Sequence, residues 1–163
     1  MTTTVRGPRR LIIAFVDITG YTKFAAQTDD AVIADLMDSY YERAAALAGR
    51  AGGQLVKPIG DGLLLVFEPA QADEAIDALL ALRDDVAAMC AKAGWTGELI
   101  VRVHAGDVIA GPFGATNDKR FDLIGKEVNH TARLPTRSVG LSAEAFACLS
   151  PAGQSRFAAY RLR

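Results

Sequence analysis

Two aspartates stand at the ends of apolar strands that the sequence predicts. Asp17 follows the apolar run at residues 11–16, and Asp61 lies in a Gly-Asp-Gly turn between two further apolar runs. A carboxylate at such a place is costly to desolvate unless it meets solvent, a cation or hydrogen-bond donors. Two carboxylates at strand ends of one sheet could bind hard divalent cations, which take oxygen ligands. The structural alternative is that Asp61 serves only its turn and that Asp17 caps the next helix.

Four more polar residues form two candidate pairs. Asn129 and Arg133 are four residues apart on a predicted helix, so both project from the same face. They could address a phosphate and a sugar, or they could form a solvated helix face. Lys57 and Asp122 each lie within an apolar strand, where opposite charges could form a cross-strand ion pair of small structural value.

Several familiar catalytic patterns do not occur in this sequence. His104 and His130 have no second His or Cys at metal-ligand spacing, which favours structural roles for both. There is no GxxxxGK[ST] segment, no GxSxG segment and no Cys–His arrangement with catalytic spacing. Cys90 and Cys148 lie 58 positions apart, and we expect two free thiols. Any phosphate binding must therefore be of another type than a P-loop.

The composition is that of one globular domain. The chain has 163 residues, of which 50% are hydrophobic and 23% charged. Its 18 basic and 19 acidic residues give a net charge of −1, which argues against non-specific binding to nucleic acid or to a membrane surface. No apolar run reaches the ~18–20 residues of a spanning helix. We therefore expect a cytoplasmic protein that contacts neither nucleic acid nor membrane.

Strands and amphipathic helices alternate along the chain in a way that predicts an α+β fold. The predicted strands are Leu11–Asp17, Gln54–Ile59, Leu63–Phe67, Leu99–His104, Val108–Phe113 paired with it, Phe121–Ile124, a short strand near Val139 and a last strand. The predicted helices are a short one after Thr22, a long one from Asp29 to Gly52, Gln71–Ala91, one from Lys126 and a short one near the end. Hairpins with helices stacked on them indicate a ferredoxin-like sandwich with a mainly antiparallel sheet. Residues 1–10 are expected to be a flexible N-terminal segment and residues 11–163 a single domain.

Taken together, four segments resemble the class III nucleotidyl cyclase catalytic domain, the family of adenylate and guanylate cyclases. They are FVDITGYTKF (15–24), GGQLVKPIGDGLLLVF (52–67), VRVHAGDVIAGPFG (101–114) and FDLIGKEVNHTARL (121–134). Any one of them would be a weak signal, but the four appear in family order and span most of the chain up to Leu134. The resemblance implies the class III cyclase fold and a catalytic domain over residues 11–163.

The resemblance also implies two divalent cations, Mg²⁺ or Mn²⁺. Asp17 and Asp61 match the family's metal-binding aspartates, and Ile18 is expected to lend its backbone carbonyl to one metal ion. The turn that follows is expected to present backbone N–H groups to the polyphosphate at a helix start; its residues are Thr19, Gly20, Tyr21 and Thr22.

The remaining matched positions imply how the nucleotide is read. Asn129 corresponds to the asparagine that orients the ribose, and Arg133 to the arginine that stabilises the transition state. Lys57 and Asp122 occupy the purine-reading positions. A lysine donor and an aspartate acceptor fit N1 and the 6-amino group of adenine, whereas guanylate cyclases of the family typically carry Glu and Cys or a similar residue there. The implied reaction is conversion of ATP to 3′,5′-cyclic AMP and pyrophosphate, in cyclic nucleotide signalling.

Assembly and alternatives also follow from the resemblance. Because one chain carries both the metal aspartates and the purine and transition-state residues, the implied active unit is a homodimer with its sites at the subunit interface. The sequence departs from the family after Leu134 and lacks the LKG-like segment, for which Arg156 and Arg161 are possible substitutes as the basic triphosphate ligand. The alternatives are a non-catalytic nucleotide-binding regulatory module and a guanylate cyclase.

Overall fold

The computed structural model describes residues 5–161, the side chain of Arg161 excepted. Its strands are β1 (Gly7–Ile18), β2 (Gln54–Ile59), β3 (Gly62–Phe67), β4 (Leu99–Ala115), β5 (Asp118–Ile124) and β6 (Val139–Leu141). Its helices are α1 (Tyr21–Ala25), α2 (Asp30–Arg50), α3 (Ala72–Lys92), α4 (Lys126–Ala132), α5 (Ala143–Ala147) and α6 (Pro151–Arg161), with a 3₁₀ turn at Pro69–Gln71.

One sheet organises the described residues. Its strand order is β2-β3-β1-β4-β5, all antiparallel, and the short β6 pairs in parallel with β4. Strand β1 is central because its apolar run, Leu11–Ala14, is buried on both faces. The antiparallel sheet with packed helices confirms the predicted fold class.

The two faces of the sheet are covered unequally. On one face α2, α3, α5 and α6 pack over the larger apolar cluster, to which they contribute Tyr40, Leu79, Ala145 and Phe157. The other face carries a smaller cluster centred on residues of β1, β3, β4 and β5, and among the described helices only α4 adds a side chain to it, Val128. Helix α4 therefore lies apart from the other helices, on the face where most of the candidate polar residues occur.

The first strand starts earlier than the sequence predicts. Strand β1 begins at Gly7, and its first residues pair with β4 from Gly7 opposite Ala110 to Arg10 opposite Asp107. Residues 7–10 are thus part of the sheet and not of a flexible segment, because the long β4 offers them a backbone ladder. Residues 1–4 lie outside the described residues.

Strand β4 corrects a second expectation. The predicted strands Leu99–His104 and Val108–Phe113 do not pair with each other but form one continuous strand of 17 residues. Its second half pairs with β5, from Ile109 opposite Ile124 to Ala115 opposite Asp118. Gly106-Asp107 resembles a turn in the sequence, but Gly106 stays extended in the strand.

The C-terminal part ends in a helix where the sequence predicts a last strand. Helix α6 begins at Pro151, directly after Ser150, whose hydroxyl accepts a hydrogen bond from Gly153 N at 3.0 Å. A Ser before a Pro is a helix-start signal, and it outweighs the weak apolar pattern of the tail. Asp73 of α3 anchors this helix by accepting a bond from Ser150 N at 2.9 Å.

Candidate functional site

Strand pairing brings Asp17 and Asp61 together. The antiparallel register sets Val16 of β1 opposite Leu63 of β3, so the end of β1 lies beside the β2–β3 turn that holds Asp61. Gly62 fits closely between them, since a Cβ there would lie 3.3 Å from the Val16 carbonyl and 3.6 Å from Asp17 Oδ1. From α2, the Tyr41 hydroxyl donates a 2.6 Å hydrogen bond to the Gly60 carbonyl and fixes the turn.

The two carboxylates interact electrostatically. Burial, the charge of Asp17 and a hydrogen bond between the two side chains raise the pKa of Asp61, while backbone N–H groups, including that of Ile18, oppose the rise. Two carboxylates that repel each other in this way fit a site for a divalent cation. Within residues 5–161 no third His, Cys, Asp or Glu joins them, so further ligands would have to be carbonyls, water or nucleotide.

A buried tyrosine lies below the carboxylate pair. Tyr40 of α2 is 1% exposed, and its hydroxyl has no hydrogen-bond partner among the described residues. Burial raises the pKa of Tyr40, and the charges of Asp61 and Asp17 raise it further. The carboxylates therefore lie close enough to this buried hydroxyl to act on it, although Asp17 itself is exposed and Asp61 half-buried.

The turn after β1 is held by the segment before β4. Thr19 N donates to the Glu98 carbonyl at 2.9 Å, and Glu98 N donates to Thr19 Oγ1 at 2.9 Å. The N–H of Thr19 is therefore not available to a phosphate, in contrast to the sequence expectation. Gly20 has φ 74° and starts α1, so the N–H groups of Gly20, Tyr21 and Thr22 precede any intrahelical acceptor.

Trp95 packs against this turn. Its ring stacks on Phe24 of α1 with centroids 4.7 Å apart, and a Cβ on Gly20 would lie 3.1 Å from Trp95 Nε1. Gly20 is thus required both by its left-handed backbone and by the indole beside it.

The predicted base-reading pair meets in space. Lys57 Nζ donates to Asp122 Oδ2 at 2.5 Å, and Leu123 N donates to Asp122 Oδ1 at 2.8 Å. The two side chains are 45% and 22% exposed, so the pair is open to a ligand. The strands that carry them, β2 and β5, are not neighbours in the sheet, so this is not the simple cross-strand pair of the structural alternative.

Asn129 and Arg133 lie at the end of α4. Asn129 is in the helix and Arg133 is the first residue after it, with φ −103° and ψ 3°. Both are exposed, and Arg133 N donates to the His130 carbonyl at 3.1 Å. Neighbouring Ala132 lines a cavity of about 300 Å³ that Asp17 also lines, but neither Arg133 nor Asp61 is among its lining residues.

Arg102 is a cation of this cavity that its local sequence pattern does not single out. It lines the cavity together with Asp17, Ile59 and Ala132, and its Nε donates to the Leu134 carbonyl at 3.2 Å. No carboxylate among the described residues forms an ion pair with it. The sequence feature that could have identified Arg102 is a cation between two valines of an apolar strand, Val101 and Val103, both of which are buried.

The other basic candidates lie elsewhere. Arg156 of α6 forms ion pairs with Asp77 at 3.3 Å and Asp73 at 3.5 Å, both on α3. It is therefore engaged on the helical layer, and the side chain of Arg161 lies outside the described residues. His104 and His130 belong to no metal cluster among the described residues; their rings meet edge to face, 4.8 Å apart.

A membrane-spanning candidate is absent from the part of the chain that the structure describes, where no helix combines the necessary length and apolarity.

Comparison with known proteins adds family information. The family model described as "Adenylate and Guanylate cyclase catalytic domain" matches residues 8–160. An adenylate cyclase of Anabaena cylindrica is 27% identical over 134 residues, which cover 77% of this chain and 27% of that protein. An uncharacterized protein of Mycobacterium tuberculosis is 30% identical over 127 residues, covering 77% of this chain and 24% of that protein. The chain thus spans about a quarter of the length of these curated relatives.

Solved structures share the fold. The adenylyl cyclase CyaB from P. aeruginosa superposes with a TM-score of 0.80 at 22% identity, over 88% of this chain and 82% of that chain. The guanylyl cyclase Cya2 superposes with a TM-score of 0.79 at 17% identity, over 88% of this chain and 80% of that chain. Similarity of this kind extends to proteins named for either base, so the choice of base must be argued from side chains.

Proposed function

Because this chain belongs to the family of adenylate and guanylate cyclase catalytic domains, we propose that it converts ATP to 3′,5′-cyclic AMP and pyrophosphate. The observation that carries this choice of base is the 2.5 Å pair of Lys57 and Asp122. Adenine presents an acceptor at N1 and a donor at its 6-amino group, which a lysine and an aspartate complement. Guanine presents the reverse order and would leave both side chains without partners, a costly mismatch in a recognition site.

The convergence of Asp17 and Asp61 supports a metal-assisted reaction. Burial and the charge of Asp17 raise the pKa of Asp61, and a divalent cation bound to the two carboxylates would neutralise their charge. Mg²⁺ or Mn²⁺ ions held by these carboxylates and the Ile18 carbonyl would supply acidification of the ribose 3′-hydroxyl and charge neutralisation on the leaving pyrophosphate.

The polyphosphate is bound by donors of the turn after β1 and by a cation. The N–H groups of Gly20, Tyr21 and Thr22 are the donors left after Thr19 N bonds to Glu98. Arg102 is the basic residue next to Asp17 in the cavity, and it takes the role for which the tail offered Arg156 or Arg161. A guanidinium without a carboxylate partner is well suited to phosphate oxygens.

Asn129 and Arg133 act on the ribose and the α-phosphate. Asn129 orients the ribose so that its 3′-oxygen is in line with the α-phosphorus and the leaving oxygen. Arg133 donates to the α-phosphate oxygens, whose charge grows as the new bond forms. Removal of one preorganised donor of this kind costs ~10²–10³ in rate.

The active unit that we propose is a homodimer with shared sites. Three exposed aliphatic residues are neighbours of functional residues in the sequence or in the sheet: Ile59 two positions before Asp61, Ile124 two positions after Asp122, and Ile109 opposite Ile124. They are 53%, 55% and 41% exposed, a pattern typical of surfaces that are covered by a partner. We place this dimer in the cytoplasm, in cyclic nucleotide signalling, with ATP and a second copy as its partners and no nucleic acid or membrane contact.

Product formation tests the reaction. The purified protein is incubated with ATP or GTP and with Mg²⁺ or Mn²⁺, and Asp61→Ala serves as the blank. We expect cyclic AMP from the wild type alone. If more cyclic GMP is formed from GTP than cyclic AMP from ATP, the protein is a guanylate cyclase and the proposal is wrong.

Subunit mixing tests the shared site. Asp61→Ala and Arg133→Ala lesions lie in different halves of the site, so a mixture of the two inactive proteins regenerates one intact site per mixed dimer. We expect partial recovery of activity. A mixture that stays at background while the wild type is active would contradict shared sites.

The second candidate function is that of a non-catalytic, nucleotide-binding regulatory module. The observation that favours it is that the C-terminal part ends in helix α6 and not in the predicted last strand. A folded dimer that binds ATP but forms no product under any of these conditions would support it.

A further inference from the structure

We propose that His104 is a positioning residue that holds α4, and with it Asn129 and Arg133, in the orientation that the reaction needs. The inference rests on the proposed function for its catalytic consequence, but its structural part can be tested without any activity.

His104 lies at a junction in β4. Residues 101–103 of this strand pair with β6, and residues 109–115 pair with β5. His104 directly follows the segment that pairs with β6, and residues 104–108 pair with neither β6 nor β5. The chain between β5 and β6 contains α4, so the imidazole stands where α4 crosses the sheet edge.

Two hydrogen bonds tie the ring to its surroundings. His104 is 5% exposed. Its Nε2 lies 3.0 Å from Glu127 Oε2 of α4, and its Nδ1 lies 2.8 Å from Ser142 Oγ, the residue that caps α5. Ser142 Oγ also accepts from Ala145 N at 3.2 Å, and the Ser142 side chain hydrogen-bonds to the Glu144 carboxylate. Because an ionised carboxylate only accepts hydrogen bonds, the contact at Nε2 is one in which the ring N–H donates to Glu127.

A glycine makes room for the contact. A Cβ on Gly106 would lie 2.7 Å from Glu127 Cγ and 2.8 Å from His104 Nε2. Any side chain at that position would displace one of the two partners. This explains why a glycine in the middle of an extended strand is needed here.

Helix α4 has few other anchors. It spans seven residues, and among its side chains Thr131 is buried, its hydroxyl donating to the Glu127 carbonyl at 2.7 Å within the helix. Val128 is partly buried against the smaller apolar cluster. The hydrogen bond of Glu127 is therefore the polar contact that fixes α4 to the sheet. Asn129 follows Glu127 by two residues and Arg133 by six, so the positions of both depend on this contact.

Other ionisable groups surround the ring. Glu144 Oε2 of α5 lies 3.6 Å from Nδ1, the His130 ring of α4 meets it edge to face, and Lys126 Nζ lies 3.8 Å from Glu127 Oε1. Ser142 and Glu144 contact the ring from the side of α5, whereas the hydrogen bond at Nε2 joins it to Glu127 of α4, so the bond to Glu127 is the one that positions α4.

A matched pair of substitutions separates the two bonds. The amide nitrogen of His104→Gln reaches the place of Nε2 and keeps the bond to Glu127. The shorter side chain of His104→Asn places its amide near Nδ1, keeps Ser142 and loses Glu127. We expect His104→Asn to lower kcat by about 10²-fold, the scale of a 1 Å misplacement of a catalytic group, with little change in KM for ATP, and His104→Gln to retain most of kcat.

Hydrogen exchange supplies the readout that is independent of activity. We expect backbone amides of residues 127–133 to exchange faster in His104→Asn and in Glu127→Ala, while those of β1 and α2 stay protected, and His104→Gln to resemble the wild type. Glu127 is partly exposed, so its variant keeps the test available if the buried substitution impairs folding. The inference would be overturned if α4 amides exchanged equally fast in His104→Asn and His104→Gln, or if protection were lost uniformly across β1 and α2. Either result would count even if the wild type proves inactive.

Discussion

Lys57 and Asp122 stand on the two outer strands of the antiparallel sheet, yet Nζ and Oδ2 lie 2.5 Å apart. The sheet order β2-β3-β1-β4-β5 puts three strands between them, so the sheet must curl until its edges approach each other. The smaller apolar cluster, with Leu11 and Ile13 of the central strand, fills the inside of this curl. The geometry of the base-reading pair is therefore a property of the curvature of the sheet and not of the local sequence.

Loss of Asp122 is expected to reduce selectivity between nucleotides. Asp122→Ala removes the acceptor for the 6-amino group and leaves Lys57 without its partner. We expect kcat/KM for ATP to fall by about 10²-fold and that for GTP to fall less, since sites built to pair a polar group discriminate strongly. Steady-state rates with both nucleotides measure the ratio.

Asp118→Ala is the matched control, because Asp118 is an exposed carboxylate of the same strand whose ion pair is with Arg120. An unchanged ATP to GTP ratio in Asp122→Ala would show that this pair does not read the base.

The carboxylate pair is expected to destabilise the metal-free protein at neutral pH. Burial and the charge of Asp17 raise the pKa of Asp61 above its unfolded value. In the pH interval between the two values the folded state binds more protons, so the free energy of unfolding falls as pH rises. Asp61→Asn should therefore melt above the wild type at pH 7 in EDTA, with the difference vanishing at acidic pH where the carboxyl is protonated.

Calorimetric melts from pH 3 to pH 8 measure this, with Asp38→Asn, an exposed carboxylate on α2, as the control. A difference between Asp61→Asn and the wild type that is constant over this range would contradict the assigned cause.

Metal addition should reverse the order of stability. Mn²⁺ or Mg²⁺ binds the folded wild type, and a ligand at 100 times its Kd adds about 2.7 kcal/mol. We expect Tm to rise with metal concentration in the wild type and to remain flat in Asp61→Asn. A parallel rise in both proteins would place the metal elsewhere.

Arg102 is expected to contribute to the affinity for the triphosphate. A hydrogen bond to a charged group is worth about 1.5–3 kcal/mol, so Arg102→Ala should raise KM for ATP by about 10-fold or more. Arg156→Ala provides the contrast, because Arg156 is engaged with Asp73 and Asp77 on α3 and should leave KM unchanged. If Arg156→Ala has the larger effect on KM, the tail and not β4 supplies the triphosphate ligand.

Substitutions at two glycines separate the cost of backbone strain from an effect on nucleotide binding. Gly20 and Gly94 have φ of 74° and 78°, but a Cβ on Gly20 meets Trp95 at 3.1 Å while a Cβ on Gly94 meets nothing within 4 Å. Both Ala variants should lose about 1–2 kcal/mol from the left-handed backbone, measured by denaturant unfolding. Gly20→Ala alone should also raise KM for ATP, and equal KM values in the two variants would remove the turn from the nucleotide site.

The sequence predicted what depends on local pattern. The helices α2 and α3 follow from apolar periodicity, and Asp17 with Asp61 from carboxylates at strand ends. Arg102 was not selected because a cation that alternates with valines is also typical of a half-exposed strand. The length of β4 was missed because Gly106 is needed by its neighbours in space, His104 and Glu127, which no local pattern reveals.

The pair of hydrogen bonds between Thr19 and Glu98 has a consequence for folding kinetics, because it joins residues 79 positions apart. The whole β1–β4 ladder has partners at comparable separations, beginning with Ile18 and Leu99. Pairings so distant along the chain raise the contact order and slow folding, since loop closure must precede the contacts that reward it. During synthesis β1 can pair with β3 well before β4 has been made, so we expect the turn beside Asp17 to acquire its final shape late in folding.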